Sequence, residues 1–246
     1  MARNARDLHL LTAVLAGHDI EDPFSVPIPM RAVDTDGLRI GLMEQFLDNP
    51  VDPEIKATVL AAGQALRDLG YVVEEFKPRN VERAVQTWWF FFTRLPASMV
   101  KQVFDTKPED AHWTGLELLN MALQEPEPTA NDVLTQFAIR DKMRVSLLKQ
   151  MEESPVLLLP ACAVPAWNHR QRSWEINGRT IGLLEAMSPV TPFNLFGLPA
   201  VVIPFGQTAD GRPIGVQLVG RPYEDELLLE LADRLEEARG LFPTPY

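Results

Sequence analysis

The chain has 246 residues, 46% of them hydrophobic, which is enough to build a sizeable core in one large domain or two small ones. Its net charge of −11 repels nucleic-acid phosphates and anionic lipid, and no run of lysine and arginine offsets it. We therefore expect neither nucleic acid nor a membrane surface as a partner.

The cysteine and histidine content limits the kinds of bond and metal site that the chain can form. The one cysteine, Cys162, excludes an internal disulfide and favours a reducing compartment, so we expect a cytoplasmic protein. The four histidines show no metal-ligand spacing, so we expect neither a metal nor a cofactor. The longest strongly apolar stretch, VLLLPACAVPAW from Val156, is too short to span a bilayer and carries two prolines.

The first predicted element is a helix that ends before Gly17 and needs a partner surface along one apolar stripe. That stripe consists of Leu8, Leu11, Val14 and Leu15. A Pro- and Asp-rich loop then leads to a strand over 38–43.

A helix and a second strand follow, in the order of a βαβ unit with a right-handed crossover. Asp52 can cap the helix, Pro53 suits its first position, and Gly70 ends it ahead of the strand YVVEEF. The predicted buried stripe of this helix consists of Ile55, Val59, Leu60, Leu66 and Leu69.

The region from about 80 to 153 reads as an all-helical insertion of three segments within a single domain spanning 1–246. The insertion can form a lid or pocket wall, or a layer that covers one face of the sheet, and the sequence leaves both open. Its cluster TWWFFF, Thr87 to Phe92, cannot bury five consecutive aromatic side chains on one helix face. Some of these rings must contact a ligand, another domain or a second chain.

Strand patterns return after Ser154. The runs PVLLLP, LPAVVIPFG and PIGVQLVG are continuous and apolar, as in strands buried on both faces, and an Asp-Gly turn predicts an antiparallel hairpin over 200–220. The last helix should bury Leu228, Leu231 and Leu235 on one face.

The stretch TPFNLFGLPAVVIPFG carries a Thr-x-x-Asn-x-x-Gly-x-Pro-Ala turn, from Thr191 to Ala200, that leads into the hairpin and the final helix. It resembles the C-terminal signature of the amidase signature family. SPVLLLPACAVPA and the strand-helix-strand segment resemble the same family in the same order, and DLHLLTAVLAGHD resembles a segment near the middle of its chains. The resemblance implies an α/β fold with a mixed sheet flanked by helices, corresponding to the C-terminal half of the family's α/β/α sandwich.

The family's chemistry, as the resemblance implies, is amide hydrolysis by a Ser-Ser-Lys triad with a Gly/Ser-rich oxyanion loop. All of these groups precede the matched segments, so we name no catalytic residue and expect the chain to be inactive alone. Its serines stand singly, with no Gly-Ser-Ser-Gly or nucleophile-elbow pattern. Two alternatives stay open: a non-catalytic partner subunit that completes an amidase site with a separate N-terminal half, and a complete enzyme with unfamiliar chemistry.

The resemblance also suggests part of a substrate pocket for an aromatic or aliphatic acyl group. The candidate pocket residues are Trp88, Trp89, Phe92, Ala161, Cys162, Thr191 and Asn194. Each has a structural alternative: the aromatic rings can pack in the core, Cys162 can be a small buried hydrophobe, and the Thr and Asn side chains can hold backbone groups of their turn. We further expect half of the sandwich to expose a sheet edge and to self-associate through it.

Overall fold

The computed structural model describes residues 1–240 and 242. Its centre is a mixed five-stranded sheet of order β2-β1-β3-β7-β6, in which the pairs β1–β2 and β1–β3 are parallel and the pairs β3–β7 and β7–β6 are antiparallel. The strands of this sheet are β1 (Arg39–Leu42), β2 (Val72–Glu75), β3 (Val156–Pro160), β6 (Ala200–Gln207) and β7 (Pro213–Val219). A separate hairpin pairs β4 (Ser173–Ile176) with β5 (Arg179–Gly182).

Nine α-helices are described, and none is long and apolar enough to cross a membrane. They are α1 (Ala5–Leu15), α2 (Pro53–Asp68), α3 (Ala84–Trp89), α4 (Ala97–Thr106), α5 (Trp113–Leu123), α6 (Ala130–Gln150), α7 (Leu183–Ala186), α8 (Thr191–Phe196) and α9 (Asp225–Arg239). A π-helical turn (Phe90–Arg94) extends α3, and a short 3₁₀ helix (Pro108–Asp110) precedes α5.

The βαβ unit forms as the sequence predicts. Asp52 caps α2 by accepting a hydrogen bond of 2.9 Å from the backbone N–H of Glu54, and Gly70 takes a positive φ of 94° where the chain leaves the helix. The predicted stripe is wrong at Leu60 and Leu69, which are exposed. Ala62 and Gly63 are buried instead, since α2 lies close to β1: a methyl group on Gly63 would stand 2.4 Å from Leu42 Cδ1.

Helices cover both faces of the sheet and give the mixed α/β architecture. One face packs against α2, α9 and the start of α1, and there Leu228, Leu231 and Leu235 are buried as predicted. On the other face Met143, Leu147 and Met151, from α6 and the residue after it, contact the layer of α3 and α8. α4 and α5 form a cluster of their own around Ala97, Leu119 and Ala122. The helical region thus covers part of the sheet and also extends beyond it.

Three elements differ from the sequence predictions. α4 is a helix that the sequence analysis did not identify, and the β4–β5 hairpin was missed although Asn177 and Gly178 carry the Asn-Gly turn signal with φ of 52° and 78°. β6 is not buried on both faces. It is an edge strand with alternating burial, so Val201 and Ile203 face the core while Val202 is exposed.

The first helix begins and ends near its predicted limits, but its apolar stripe lacks the expected cover. Ala5 is buried, its N–H donates to Glu236 Oε2 at 2.6 Å, and Leu8 packs at the margin of the core. Leu11, Val14 and Leu15 are exposed, because the partner surface, α9, reaches only the start of the helix.

Candidate functional site

Two aromatic side chains and one amide meet where α3 and its π-helical extension contact α8. The indole Nε1 of Trp88 donates a hydrogen bond of 2.6 Å to Oδ1 of Asn194. The ring of Phe92 stacks on Trp88 with centroids 5.5 Å apart and planes inclined by 18°. Phe92 is 49% exposed and Asn194 is exposed, so the stack and the amide present one surface to solvent.

The five consecutive rings, two in α3 and three in the π-helical turn, point in different directions around the helix axis. Each π turn has an extra residue, so successive side chains are displaced relative to an α-helix. Phe90 is buried, Phe91 is partly buried against the core that α6 and α8 form with the sheet, and Phe92 is exposed. The expectation that five consecutive aromatic side chains do not share one buried face is therefore confirmed.

α8 fixes the position of Asn194. Arg144 Nε donates to the carbonyl oxygen of Phe196 at 2.8 Å, and Gly197 closes the helix with φ of 61°. The sequence suggested that Thr191 and Asn194 lie in a turn and hold its backbone groups. They lie in α8 instead, and Asn194 holds an indole from another helix.

Thr191 lies beneath this surface and not on it. Its side chain is buried, and Oγ1 finds no hydrogen-bond partner in the part of the chain that the structure describes. The same holds for Oγ of the fully buried Ser188, three residues earlier. The carbonyl of Pro189 between them accepts a hydrogen bond of 3.2 Å from the buried Gln217. The sequence analysis considered Ser188 only as one of six single serines and did not identify Gln217, since single polar residues near apolar runs carry no motif.

Ala161 and Cys162 follow the carboxyl end of β3. A methyl group built on Gly215 would stand 3.7 Å from Ala161 Cβ and 3.0 Å from Val202 Cγ1. Ala161, Gly215 and Val202 therefore lie on the same face of the sheet. Cys162 Sγ donates to the carbonyl oxygen of Ala186 at 3.2 Å, and burial raises the pKa of its thiol above the ordinary range. A neutral, hydrogen-bonded thiol is a poor nucleophile.

The structure brings together only part of the predicted set. Trp88, Phe92 and Asn194 form one surface patch, which we call the Trp88 patch. Trp89 points elsewhere: it packs against the α4–α5 cluster, and its Nε1 donates to Glu125 Oε1 at 2.8 Å. Cys162 packs against a different cluster, which includes Val51 in the loop before α2 and Ile55 in α2.

One serine–histidine contact needs separate consideration. Ser25 Oγ lies 3.1 Å from His18 Nδ1 in the loop after α1. The same Oγ accepts from the N–H of Asp19 and lies 2.9 Å from the carbonyl oxygens of Asp19 and Asp22, and the whole group is exposed. These contacts stabilise a surface turn, which is the ordinary role of a serine hydroxyl in such a loop.

A cavity of about 410 Å³ opens at the carboxyl ends of β1 and β2, the edge at which parallel sheets commonly bind ligands. Its lining includes Met43, Gln45, Leu47, Phe76 and Lys77 and none of the seven candidate pocket residues. Leu47 adopts a left-handed conformation there, with φ of 52°. The cavity and the Trp88 patch are therefore separate features.

Comparison with known proteins gives the family. A family model described as Amidase matches residues 1–229, and the chain belongs to that family. The indoleacetamide hydrolase of Bradyrhizobium japonicum is 26% identical over 98% of this chain and 51% of its own length. A glutamyl-tRNA(Gln) amidotransferase polypeptide of Staphylococcus carnosus is 26% identical over 98% of this chain and 54% of its own length.

Solved structures agree with the fold. A crystal structure of an amidase superposes with a TM-score of 0.79 at 26% identity, covering 97% of this chain and 51% of that one. A 6-aminohexanoate cyclic dimer hydrolase with bound substrate gives 0.78 at 25% identity, covering 98% and 54%. The chain thus spans about half the length of the curated relatives and solved structures that it matches.

Proposed function

We propose that this chain is one half of an amidase and shapes the acyl side of a pocket whose nucleophile lies on other residues. The parent reaction is hydrolysis of a carboxylic amide to an acid and ammonia or an amine. The observation that carries the proposal is the Trp88–Asn194 hydrogen bond with Phe92 stacked on Trp88. Two stacked aromatic rings thus lie next to a polar amide. Such a combination suits an aromatic or aliphatic acyl group whose polar end must be oriented.

The serines of the chain support the assignment of the nucleophile to other residues. Ser188 and Ser154 are buried, Ser146 bonds to Asn80 and to the carbonyl of Arg79, and Ser25 stabilises a turn. Ser98 and Ser173 are exposed, and their hydroxyls bond to no base among the described residues. Acyl transfer needs a nucleophile beside a base and donors aimed at the developing oxyanion. By this proposal the chain alone hydrolyses no amide, and the cytoplasm is its expected compartment.

The first test is a chimera in which this chain replaces the matched half of the Bradyrhizobium japonicum indoleacetamide hydrolase. We expect the isolated chain to release no ammonia from indoleacetamide or benzamide, and the chimera to release it. Asn194→Ala in the chimera should lower kcat/KM about tenfold, because the amide and the indole lose their fixed geometry. Trp89→Phe is the matched control and should have little effect. Ammonia release by the isolated chain, or an unchanged kcat/KM in the Asn194 variant, would refute the proposal.

A second candidate function, that of a separately encoded partner, is favoured by one observation: the apolar residues of α1 after Leu8 are uncovered. An intact mass of the native protein from its source separates the two possibilities. A mass near the 27.6 kDa of this chain supports the separate partner, and a mass about twice as large supports a continuous polypeptide.

A further inference from the structure

A cavity of about 580 Å³ lies between α6 and the loop that leads into α3, and we call it the α6 groove. Its volume falls within the roughly 300–1,000 Å³ that is usual for small-molecule sites. None of the seven candidate pocket residues lines it, and it shares no lining residue with the cavity at the ends of β1 and β2. The α6 groove is therefore a third, separate feature of the surface.

The charge of the α6 groove is opposite to that of the chain. Arg83, Lys142 and Lys149 line it, together with a single carboxylate, Glu82. None of the three cations forms an ion pair within the part of the chain that the structure describes. The whole chain has 34 acidic and 23 basic residues, so three cations beside one carboxylate reverse its overall balance. A concave surface lined by one sign of charge attracts the opposite ion.

Hydrogen bonds hold the two walls of the α6 groove together. The side-chain amide of Gln150 accepts from the N–H of Arg79 at 2.9 Å and donates to the carbonyl oxygen of the same residue at 3.0 Å. Asn80 Nδ2 donates to Ser146 Oγ at 3.2 Å, and its backbone N–H donates to Glu82 Oε1 at 3.0 Å. The walls are thus fixed in place without a ligand, which lowers the entropic cost of binding one.

The spacing along α6 places two of the cations around one position. Lys142 and Lys149 are two turns apart, with Val145 and Ser146 between them. Residues three, four and seven apart share a helix face, and at 1.5 Å per residue the two lysines are separated by about 10 Å along the axis. An anionic group above Ser146 therefore lies between two ammonium groups, and Arg83 lines the same groove.

The α6 groove also offers apolar surface. Met143 is buried in the core on this side of the sheet, Ile139 packs against that core, and both line the groove. Val145 lines it as well and is 51% exposed. A small inorganic ion would leave these side chains uncovered, whereas an organic anion removes apolar surface from water. The lining thus favours a ligand that has both a charge and an apolar body.

We propose that the α6 groove binds a small organic carboxylate. The carboxylate lies between the cations, which donate charge-assisted hydrogen bonds to it, and the apolar body lies against Ile139, Met143 and Val145. The acid that amide hydrolysis releases belongs to this class, and that one link rests on the proposed function. Binding itself is a property of this chain and requires no catalysis.

Calorimetric titration of the isolated chain tests the groove with three probes. Phenylacetate has the charge and the ring, phenylacetamide has the ring without the charge, and acetate has the charge without the ring. We expect phenylacetate to bind saturably with a Kd on the order of 1 mM, and the other two to bind at least tenfold more weakly.

Variants locate the binding. Lys149→Gln and Arg83→Gln should each weaken phenylacetate binding about threefold, and the double variant about tenfold, because each removes one partly solvated cation contact. Arg3→Gln is the matched control: it removes the same charge from an exposed position outside the groove and should have no effect. Asn194→Ala should have no effect either, since Asn194 belongs to the Trp88 patch.

The outcomes separate the α6 groove from the proposed function. Absence of saturable binding overturns the proposal, and so does equal affinity for phenylacetamide or for acetate. Equal weakening by Arg3→Gln and Lys149→Gln also overturns it, because net charge would then be the cause. Binding that is lost in Asn194→Ala and kept in Lys149→Gln assigns the acid to the Trp88 patch and overturns the groove alone. Binding that depends on Arg83 and Lys149, with a chimera that releases no ammonia, supports the groove and refutes only the proposed function.

Discussion

Trp88 and Asn194 are 106 positions apart in the chain, and the indole Nε1 of Trp88 donates a hydrogen bond of 2.6 Å to Oδ1 of Asn194. This bond joins α3 of the helical region to α8, which leads directly into β6. It also orients Phe92, which stacks on the same indole. The geometry of the Trp88 patch therefore depends on two helices from distant parts of the sequence.

A double-mutant cycle measures this bond. We expect Trp88→Phe and Asn194→Ala to be coupled by about 0.5–1 kcal/mol in the free energy of unfolding, the range of a partly solvated neutral hydrogen bond. Urea denaturation of the single and double variants gives the coupling. Trp89→Phe combined with Asn194→Ala is the control and should be additive, because Trp89 bonds to Glu125. A coupling of zero for the first pair would show that the bond does not form in solution.

The buried hydroxyl of Thr191 predicts an unusual response to removal. Oγ1 has no hydrogen-bond partner among the described residues, so Thr191→Val should leave the free energy of unfolding unchanged or raise it by about 1 kcal/mol. Thr87 is an equally buried control whose Oγ1 bonds to Gln136 at 3.3 Å, and Thr87→Val should lower that free energy by about 1 kcal/mol. If Thr191→Val destabilises the chain as much as Thr87→Val does, Thr191 has a partner in solution.

Cys162 should react as an ordinary buried thiol. Burial raises its pKa, so the reactive thiolate appears at a higher pH than in an exposed cysteine. The rate of alkylation by iodoacetamide, followed from about pH 6 to 10, should therefore rise later for Cys162 than for an exposed Ser98→Cys placed in a Cys162→Ala background. Rapid alkylation of Cys162 at the acidic end of this range would instead indicate an activated thiol and would contradict the structural role.

Much of the fold could be predicted from local sequence signals. Asp52, Pro53 and Gly70 mark α2 by their capping chemistry, and the continuous run Val156–Pro160 marks the central strand β3. The β6–β7 hairpin also formed where the Asp-Gly turn indicated. These signals depend on residues close together in the chain, which sequence patterns record directly.

Features that depend on distant partners could not be predicted in the same way. LPAVVIPFG looks like a fully buried strand, yet Val202 is exposed because no described element covers the face of β6 opposite Val201 and Ile203. The candidate pocket residues divide among separate clusters because adjacent side chains on a helix point in different directions: Trp89 packs toward α5, whereas Phe92, four residues after Trp88, lies beside it. Spacing along the chain does not specify which ring faces which helix.

The β6 edge predicts self-association of the isolated chain. Val202 is 51% exposed on this edge, so strands from two copies can pair there. We expect sedimentation to show concentration-dependent association, and Val202→Lys to weaken it about tenfold because a charge at an edge opposes pairing. Val145→Lys is the matched control, since Val145 is also 51% exposed but lies on α6. Equal effects of the two lysines would place the contact elsewhere.

The most direct test of the central claim is the mass of the isolated chain after exposure to a fluorophosphonate, which forms a covalent bond with an activated serine nucleophile. If the nucleophile lies on other residues, the intact mass stays unchanged, while a chimera that releases ammonia gains one adduct on a serine of the relative's half. An adduct on any of the chain's own six serines, Ser25, Ser98, Ser146, Ser154, Ser173 or Ser188, would contradict the claim.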